Sequence, residues 1–265
     1  MKEEVLALIS DVADPARKLN LLREYLQALA LRSLHESEAF TCLAFVGGTA
    51  LRFAYNLPRF SEDADFSLER THGYQPEVWM NKLKNDLRLA GFDAALAWNN
   101  KTTVHKAWIK TAGILQEAGL AAMRGQKLSI KLEIDTRPPA GAVCERTVIT
   151  RHRMIALQHH DLASLMAGKL HALMAREYGK GRDWYDLLWY LGRRPPMEPN
   201  LTQLQNALDQ TQGEDALAAR NWRAAVMARV ERLDWRKLRD DVQPFLERPG
   251  ESSLLTIENM RSLLK

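Results

Sequence analysis

Residues 127–136 constrain the fold most, because apolar and charged side chains alternate along them with a period of two. The aliphatic residues of this run share one side: Leu128, Ile130, Leu132 and Ile134. The opposite side carries charge: Lys131, Glu133 and Asp135. This pattern is typical of a strand whose sheet packs on a core with one face and leaves the other uncovered. The sequence therefore predicts a half-covered β-sheet with acids on its open face.

A second predicted strand, residues 60–68, repeats this arrangement. Asp63 and Asp65 are two positions apart, so they point to the same side, opposite Ala64 and Phe66. Carboxylates gathered on one open face repel each other unless cations lie between them. Mg²⁺ prefers oxygen ligands and commonly bridges carboxylates to substrate phosphates. Either strand alone would suit a solvated face, but together they favour a site for two divalent metals, with these candidate ligands: Asp63, Asp65, Glu133 and Asp135.

The short apolar run 42–46 predicts a buried strand, and Gly47 and Gly48 follow it directly. We expect a helix to begin here with Thr49 as its N-cap. Backbone N–H groups at a helix N-terminus bind phosphate. A Gly-Gly pair alone more often marks an ordinary turn, and the P-loop consensus does not occur here.

The remaining patterns predict an α+β fold, a mixed sheet with helices, followed by a helical C-terminal domain. Residues 1–36 form a helical lead, which Asp14-Pro15 divides into two helices; residues 37–150 form the core domain, and residues 151–265 the helical domain. Further core elements are a helix at 79–90 and strands at 94–98, 102–110 and 143–149. No strand is predicted beyond about residue 150, where the expected helices are 161–178, 182–192, 201–210, 214–230 and 234–240.

Composition places the protein among ordinary globular chains. Its 265 residues are 46% hydrophobic, and a formal charge of +4 permits a polyanionic partner without requiring one. Cys42 and Cys144 have neither metal-site spacing nor a disulfide pattern. The N-terminal sequence does not resemble a signal peptide, and no apolar stretch reaches membrane-spanning length. We therefore expect a cytoplasmic protein without membrane contact.

Lys169 is anomalous in its predicted helix, because it lies within the leucine-rich stripe of that helix. Such a lysine can extend to solvent, or it can reach into a cleft between domains and hold a triphosphate. In the next predicted helix, Asp183 and Asp186 share a face at i, i+3 spacing. Acids in a first helical turn also suit the helix dipole, so both explanations stay open at this point.

Three segments and Lys169 together resemble the AbiEii/AbiGii-type toxin family. The segments are 45–52 (FVGGTALR), 59–66 (RFSEDADF) and 182–186 (RDWYD), and the resemblance covers about residues 35–192. These are polymerase-β-like nucleotidyltransferases of abortive-infection, phage-defence and type IV toxin–antitoxin systems.

The resemblance implies a role for each matching residue. Gly47, Gly48 and Thr49 would hold the triphosphate of an NTP, and Asp63 and Asp65 would bind Mg²⁺ or Mn²⁺. Lys169 would grip phosphates, Asp183 would act as catalytic base or positioner, and Asp186 would support it. Arg59 and Arg182 would complete the nucleotide site. A third metal carboxylate would be Glu133 or Asp135, with Glu133 favoured.

The leading hypothesis is transfer of NMP from an NTP to an acceptor hydroxyl, with tRNA or another RNA as the acceptor and a cognate antitoxin as a further partner. A basic segment with two tryptophans could contact RNA: Arg220, Trp222, Arg223, Arg229, Arg232, Trp235, Arg236, Lys237 and Arg239. An ordinary charged helix surface explains the same segment. Alternatives are a protein acceptor, a nucleotide- or RNA-binding module without turnover, and a metal phosphohydrolase using His159 and His160. Asp161 fits better as a helix N-cap than as a ligand in that last hypothesis.

Overall fold

The computed structural model describes residues 1–214 and 217–265. The chain divides into two compact units, each built from separated segments. The sheet unit comprises Met1–Ala54, Phe60–Arg137 and Arg146–His159. The helical unit comprises Tyr55–Arg59, Pro138–Glu145 and His160–Lys265.

The sheet has seven strands in the order β3-β4-β5-β2-β1-β7-β6. The strands are β1 Leu43–Val46, β2 Ala64–Leu68, β3 Asp93–Asn99, β4 Val104–Ala112, β5 Lys127–Asp135, β6 Cys144–Ile149 and β7 Ile155–His160. β2 pairs with β5, and β1 with β7, in parallel; β1–β2, β3–β4 and β4–β5 are antiparallel. The predicted mixed sheet is therefore confirmed.

The alternation in residues 127–136 appears directly in β5. Its aliphatic side chains are buried, while the charged positions between them are half-buried. Phe45 on β1 and Phe66 on β2 stack with their ring centroids 5.3 Å apart, which extends the same core across the sheet. Burial of one face fixes the register of each strand, because a slip of one residue would expose the whole apolar set.

The helices of the sheet unit are α1 Lys2–Ile9, α2 Pro15–Glu36, α3 Gly47–Tyr55, α4 Pro76–Leu89 and α5 Ile114–Glu117. The predicted break between the first two helices is confirmed. The Asp14 side chain accepts the backbone N–H groups of Ala16 and Arg17 at 3.1 and 3.2 Å, with Pro15 as the first helical residue. An acidic N-cap followed by proline is a stable helix start.

The helices of the helical unit are α6 Leu162–Ala175, α7 Gly181–Leu191, α8 Leu201–Gln212, α9 Trp222–Val230, α10 Trp235–Val242 and α11 Ile257–Leu264. Asp161 caps α6 as predicted, accepting the backbone N–H of Ser164 at 2.7 Å. Gly181 donates its backbone N–H to Asp241 at 2.7 Å, and a Cβ here would strike the backbone of Leu238. α7 and α10 therefore pack too closely for any other residue at this position.

Two sequence predictions about the second half of the chain were wrong, and one helix was not predicted. β7 is a strand beyond residue 150, and its short run with two histidines gave only a weak pattern. The helix predicted at 214–230 begins only at Trp222, after a 3₁₀ turn at Ala219–Asn221; its residues 215 and 216 lie outside the described part of the chain. α11 was not predicted. Among the helices of the described residues, none has the length and hydropathy to cross a bilayer.

Candidate active site

The corner between β1 and α3 is built on Gly47. Its φ of +76° is a conformation that L side chains rarely adopt, and a Cβ here would collide with the Asp65 carboxylate. Val46 pairs directly with Asp65 across β1 and β2, which brings the strand end and the carboxylate together. The N-terminus of α3 therefore lies against Asp65, as the motif spacing alone could not show.

Thr49 does not cap this helix, so that prediction was wrong. α3 begins two residues earlier, at Gly47, and Thr49 is buried in its first turn. Its hydroxyl instead donates to the backbone carbonyl of Asp63. The contact ties the first turn of α3 to the residue directly before β2.

The carboxylate face, which we define as Asp63, Asp65, Glu133 and Asp135, follows from the pairing of β2 with β5. Asp65 is directly opposite Glu133, and Asp135 is opposite Ser67. Paired residues point to the same side of a sheet. Asp135 also accepts the backbone N–H of Arg137 at 2.9 Å, a turn contact at the end of β5. The register thus favours Glu133 over Asp135 as the companion of the Asp63–Asp65 pair.

Two lysines interleave with these acids. The Lys131 ammonium lies 2.8 Å from Glu133 Oε2 and 3.4 Å from Asp63 Oδ2. Lys106, on β4, approaches Glu133 Oε1 at 3.4 Å. Sequence reasoning placed Lys131 on the correct face but gave it no role, and it missed Lys106 entirely. The signal that could have identified Lys131 was its position two residues before Glu133.

The charges on this face favour the binding of a cation. Burial raises the pKa of Asp63 above its ordinary value, against the attraction of Lys131, and the negative charge of Glu133 adds to the rise. Asp63 nevertheless keeps 42% of its side chain exposed. A cation beside Asp63 would relieve both the desolvation and the repulsion, and the Lys131 ammonium already bridges Asp63 and Glu133.

A second group of charges lies wholly within the helical unit. We call it the buried ion cluster and define it as Arg59, Lys169, Arg176, Asp183 and Asp186. Lys169 Nζ lies 2.8 Å from both Asp183 Oδ1 and Asp186 Oδ2. Arg59 grips Asp186 through two parallel hydrogen bonds of 2.6 and 2.5 Å, and Arg176 donates to Asp183. The structure therefore joins the Lys169 and Arg-Asp motifs, with Arg59 as a further partner.

Low solvent exposure strengthens this cluster. The Asp186 side chain is 0% exposed and that of Lys169 only 13%. Burial alone would raise the pKa of Asp183, but Lys169 and Arg176 outweigh it and lower that pKa to about 2. Burial likewise opposes the charge of Lys169, yet Asp183 and Asp186 raise the pKa of its ammonium. Asp183 and Lys169 are thus held in their charged forms.

Arg182 lies outside this cluster. Its guanidinium carbon is 4.3 Å from the centre of the Phe245 ring, a cation–π contact on the adjacent side of α7. Arg59 is buried and bound to Asp186. This geometry favours a supporting role for Arg59, and nucleotide binding by either arginine stays a prediction.

The basic segment of α9 and α10 is not the aromatic platform that the sequence suggested. Trp222 is 2% exposed, so it cannot stack on a base, and Trp235 packs edge-on against Trp184. Arg229 donates to the backbone carbonyls of Met174 and Arg176. Side chains that do reach the surface here are Arg220, Arg232, Arg236 and Lys237.

Comparison with known proteins identifies a family and a similar fold. Residues 29–257 match the family model of the nucleotidyl transferase AbiEii toxin of type IV toxin–antitoxin systems. A proposed nucleotidyltransferase from H. pylori has a similar fold, with a TM-score of 0.54 and 19% identity over 92% of this chain and 93% of that one. The crystal structure of JHP933 from Helicobacter pylori is also similar, with a TM-score of 0.50 and 18% sequence identity over 92% of this chain and 91% of that one. No curated protein matches the chain.

Proposed function

The chain belongs to the AbiEii family of type IV toxin nucleotidyltransferases, and we propose that it transfers NMP from an NTP to the hydroxyl of an RNA. The observation that carries this proposal is the pairing of Asp65 with Glu133 beside the N-terminus of α3. That arrangement sets carboxylates next to backbone N–H groups. These are the two kinds of group that a metal-bound triphosphate needs.

Asp63, Asp65 and Glu133 fit a pair of Mg²⁺ or Mn²⁺ ions. They offer only carboxylate oxygens and lie on one sheet face, and Asp63 and Glu133 already attract the Lys131 ammonium. Divalent metals at such a site would activate the attacking hydroxyl and neutralise charge on the leaving pyrophosphate. The work of these three residues is to hold their carboxylates in fixed positions, which the sheet register and the Gly47 contact support.

The corner at Gly47 and Gly48 is the proposed phosphate site. Free N–H groups at the start of a helix point along its positive dipole end, which favours an anion. Thr49 supports this corner by holding the Asp63 backbone. In this proposal the helix N-terminus orients the phosphates while the carboxylates position the reacting end.

Lys169 and Asp183 are the proposed residues of the helical unit. Three cations face two carboxylates in the buried ion cluster, so it carries an excess of positive charge that suits a phosphate. An ammonium has three donors, and Asp183 and Asp186 take two of those of Lys169. Asp183, with a pKa of about 2, is ionised at neutral pH, and so weak a base suits the positioning of Lys169 better than the acceptance of a proton.

An RNA acceptor, with tRNA as the first candidate, is supported by the charge of +4 and by four exposed basic side chains in and around α9 and α10: Arg220, Arg232, Arg236 and Lys237. Family membership implies an antitoxin partner. We place the reaction in the cytoplasm, where NTPs and RNA meet. A protein hydroxyl as acceptor, or nucleotide binding without turnover, are the alternatives that the following experiment separates.

The test incubates the protein with MgCl₂, each α-labelled NTP in turn, and either total RNA or total protein. We expect label from one NTP in an RNA band, lost in Asp63→Asn and Asp65→Asn and retained in Asp11→Asn, an exposed acid remote in sequence. Label found in a protein would show that the acceptor is a protein hydroxyl and not RNA. Binding of NTP without transfer, unchanged in both aspartate variants, would overturn the proposal.

A further inference from the structure

The buried face of α2 carries a polar stripe where an apolar one is expected. Asn20, Glu24 and Gln27 follow i, i+4 and i+7 spacing, and each is at most 4% exposed. Buried polar groups are costly unless they are hydrogen-bonded, so each should have a specific partner. Glu24 pairs with Arg52 of the glycine motif as well as with Arg151 and His152, and both partners of Gln27 lie in the aspartate motif.

Gln27 holds the segment that leads to Asp63. Its amide nitrogen donates to the backbone carbonyls of Ser61 at 3.0 Å and Glu62 at 2.9 Å. Thr49 holds the carbonyl of Asp63 itself. Three consecutive carbonyls are thus fixed by side chains from two helices.

This support matters because the sheet does not supply it. Strand pairing of β2 begins at Ala64, one residue after Asp63. Asp65 lies inside the ladder and is fixed by its neighbours on β1 and β5, whereas the backbone of Asp63 precedes the ladder. The position of the Asp63 carboxylate therefore depends on the side-chain contacts made to residues 61–63.

Charged contacts from α2 flank the Gln27 amide. Arg23 pairs with Glu62 at 3.1 Å, on the same segment. Glu24 pairs with Arg52 of α3, and the Arg52 guanidinium lies 4.3 Å from the centre of the Phe60 ring. One face of α2 thus contacts both α3 and the segment that precedes β2.

We propose that Gln27 is a positioning residue for the metal site, because it sets the place of Asp63 through two backbone carbonyls. The inference rests on the proposed function, in which Asp63 binds a divalent metal. Gln27 does not touch the metal or the nucleotide. Residues that orient metal ligands typically change metal affinity by about 10–100-fold when they are replaced.

The test measures Mn²⁺ binding by electron paramagnetic resonance in the full chain, together with thermal unfolding. Gln27→Met keeps the volume and removes both donors, and we expect Mn²⁺ affinity to fall by about tenfold or more. Gln203→Met is the matched control, since Gln203 is also a buried helical glutamine but lies in α8 of the helical unit. It should leave Mn²⁺ affinity unchanged, and because the buried Gln203 side-chain oxygen has no hydrogen-bond partner among the described residues, it should not lower the unfolding temperature.

A second variant covers the case in which Gln27→Met fails to fold. Gln27→Glu keeps the length of the side chain but sets a carboxylate against two carbonyl oxygens, so the segment must shift and the affinity must fall. Mn²⁺ affinity within twofold of the parent in either folded variant would overturn the inference. Absence of Mn²⁺ binding in the parent, or binding unchanged in Asp63→Asn, would instead overturn the proposed function.

Discussion

The carboxylate face and the buried ion cluster both combine carboxylates with basic side chains but differ in solvent contact and charge balance. Four carboxylates meet two lysines on the face, and Asp63 keeps 42% of its side chain exposed. Two carboxylates meet three cations in the cluster, where Asp186 is fully buried. Carboxylates outnumber lysines on the face, which is partly exposed at Asp63. In the cluster, cations outnumber carboxylates by one; Lys169, Asp183 and Asp186 are nearly buried, and Arg176 is 39% exposed.

Because of this difference, charged residues should have different roles in the two regions. A buried pair resists change, because removing one partner leaves an uncompensated charge in a medium of low dielectric constant. An exposed acidic face tolerates loss of a charge and gains from a cation that enters it. We therefore expect replacements in the cluster to act on stability and replacements on the face to act on ligand binding.

The largest expected effect is in the cluster. Lys169→Met would leave Asp183 and Asp186 facing each other without their shared cation, so the free energy of unfolding should fall by about 3–5 kcal/mol. Urea titration measures it. Lys237→Met, at a largely exposed lysine paired with Asp234, should cost under about 0.5 kcal/mol. An equal loss of unfolding free energy in the two variants would contradict the buried environment of Lys169 and Asp186.

The second largest expected effect is a loss of the stability that Asp183 contributes when the pH is lowered. The folded pKa of Asp183 is about 2, below its ordinary value of 3.8, so its contribution is present above pH 4 and is lost as pH falls towards 2. The shift corresponds to roughly 2 kcal/mol of stability. Between pH 4 and pH 2, the free energy of unfolding should fall less in Asp183→Asn than in the parent, by about that amount. A profile with the same slope in variant and parent would contradict the assignment.

Gly47→Ala should have an intermediate effect on the carboxylate face. It introduces a Cβ at φ +76° and directly against the Asp65 carboxylate, so we expect a loss of about 1–3 kcal/mol and weaker Mn²⁺ binding. Gly73→Ala is the matched control, with φ +83° and nothing within 4 Å of its added Cβ. If the two alanine variants lose equal stability and bind Mn²⁺ alike, the approach of α3 to Asp65 is not important.

The smallest expected effect is a gain. Lys131→Met removes the ammonium that lies between Asp63 and Glu133, so Mn²⁺ should bind about two- to fivefold more tightly at low salt, as expected for partly exposed charges. Lys110→Met, an exposed lysine on β4 opposite Ser129, is the control and should change Mn²⁺ affinity less. Titration by electron paramagnetic resonance compares them. Weaker binding in Lys131→Met would mean that this lysine supports the metal rather than competing with it.

Local patterns predicted much of the fold. The alternation in β5, the break at Asp14-Pro15 and the N-cap at Asp161 each depend on neighbours a few residues away, and all three are confirmed. β7 was missed because its polar residues gave only a weak pattern and its pairing with the distant β1 cannot be read locally. The sequence left open whether Trp222 could stack on RNA, because its burial depends on packing between helices.

For the candidate site too, local sequence patterns predicted some features and could not predict others. Residue types and i, i+2 spacing were enough to select four candidate acids: Asp63, Asp65, Glu133 and Asp135. The sequence favoured Glu133 over Asp135 without deciding between them, because that choice depends on the register between β2 and β5. Nor could it identify Gln27, whose partners lie 34 and 35 positions away and are backbone atoms.

The most direct test of the account compares Mn²⁺ binding by Glu133→Gln and Asp135→Asn. Both remove one charge from β5, but only Glu133 is opposite Asp65. We predict that Glu133→Gln loses at least about tenfold in affinity and that Asp135→Asn stays within about twofold of the parent. A large loss in Asp135→Asn with normal binding in Glu133→Gln would contradict the account.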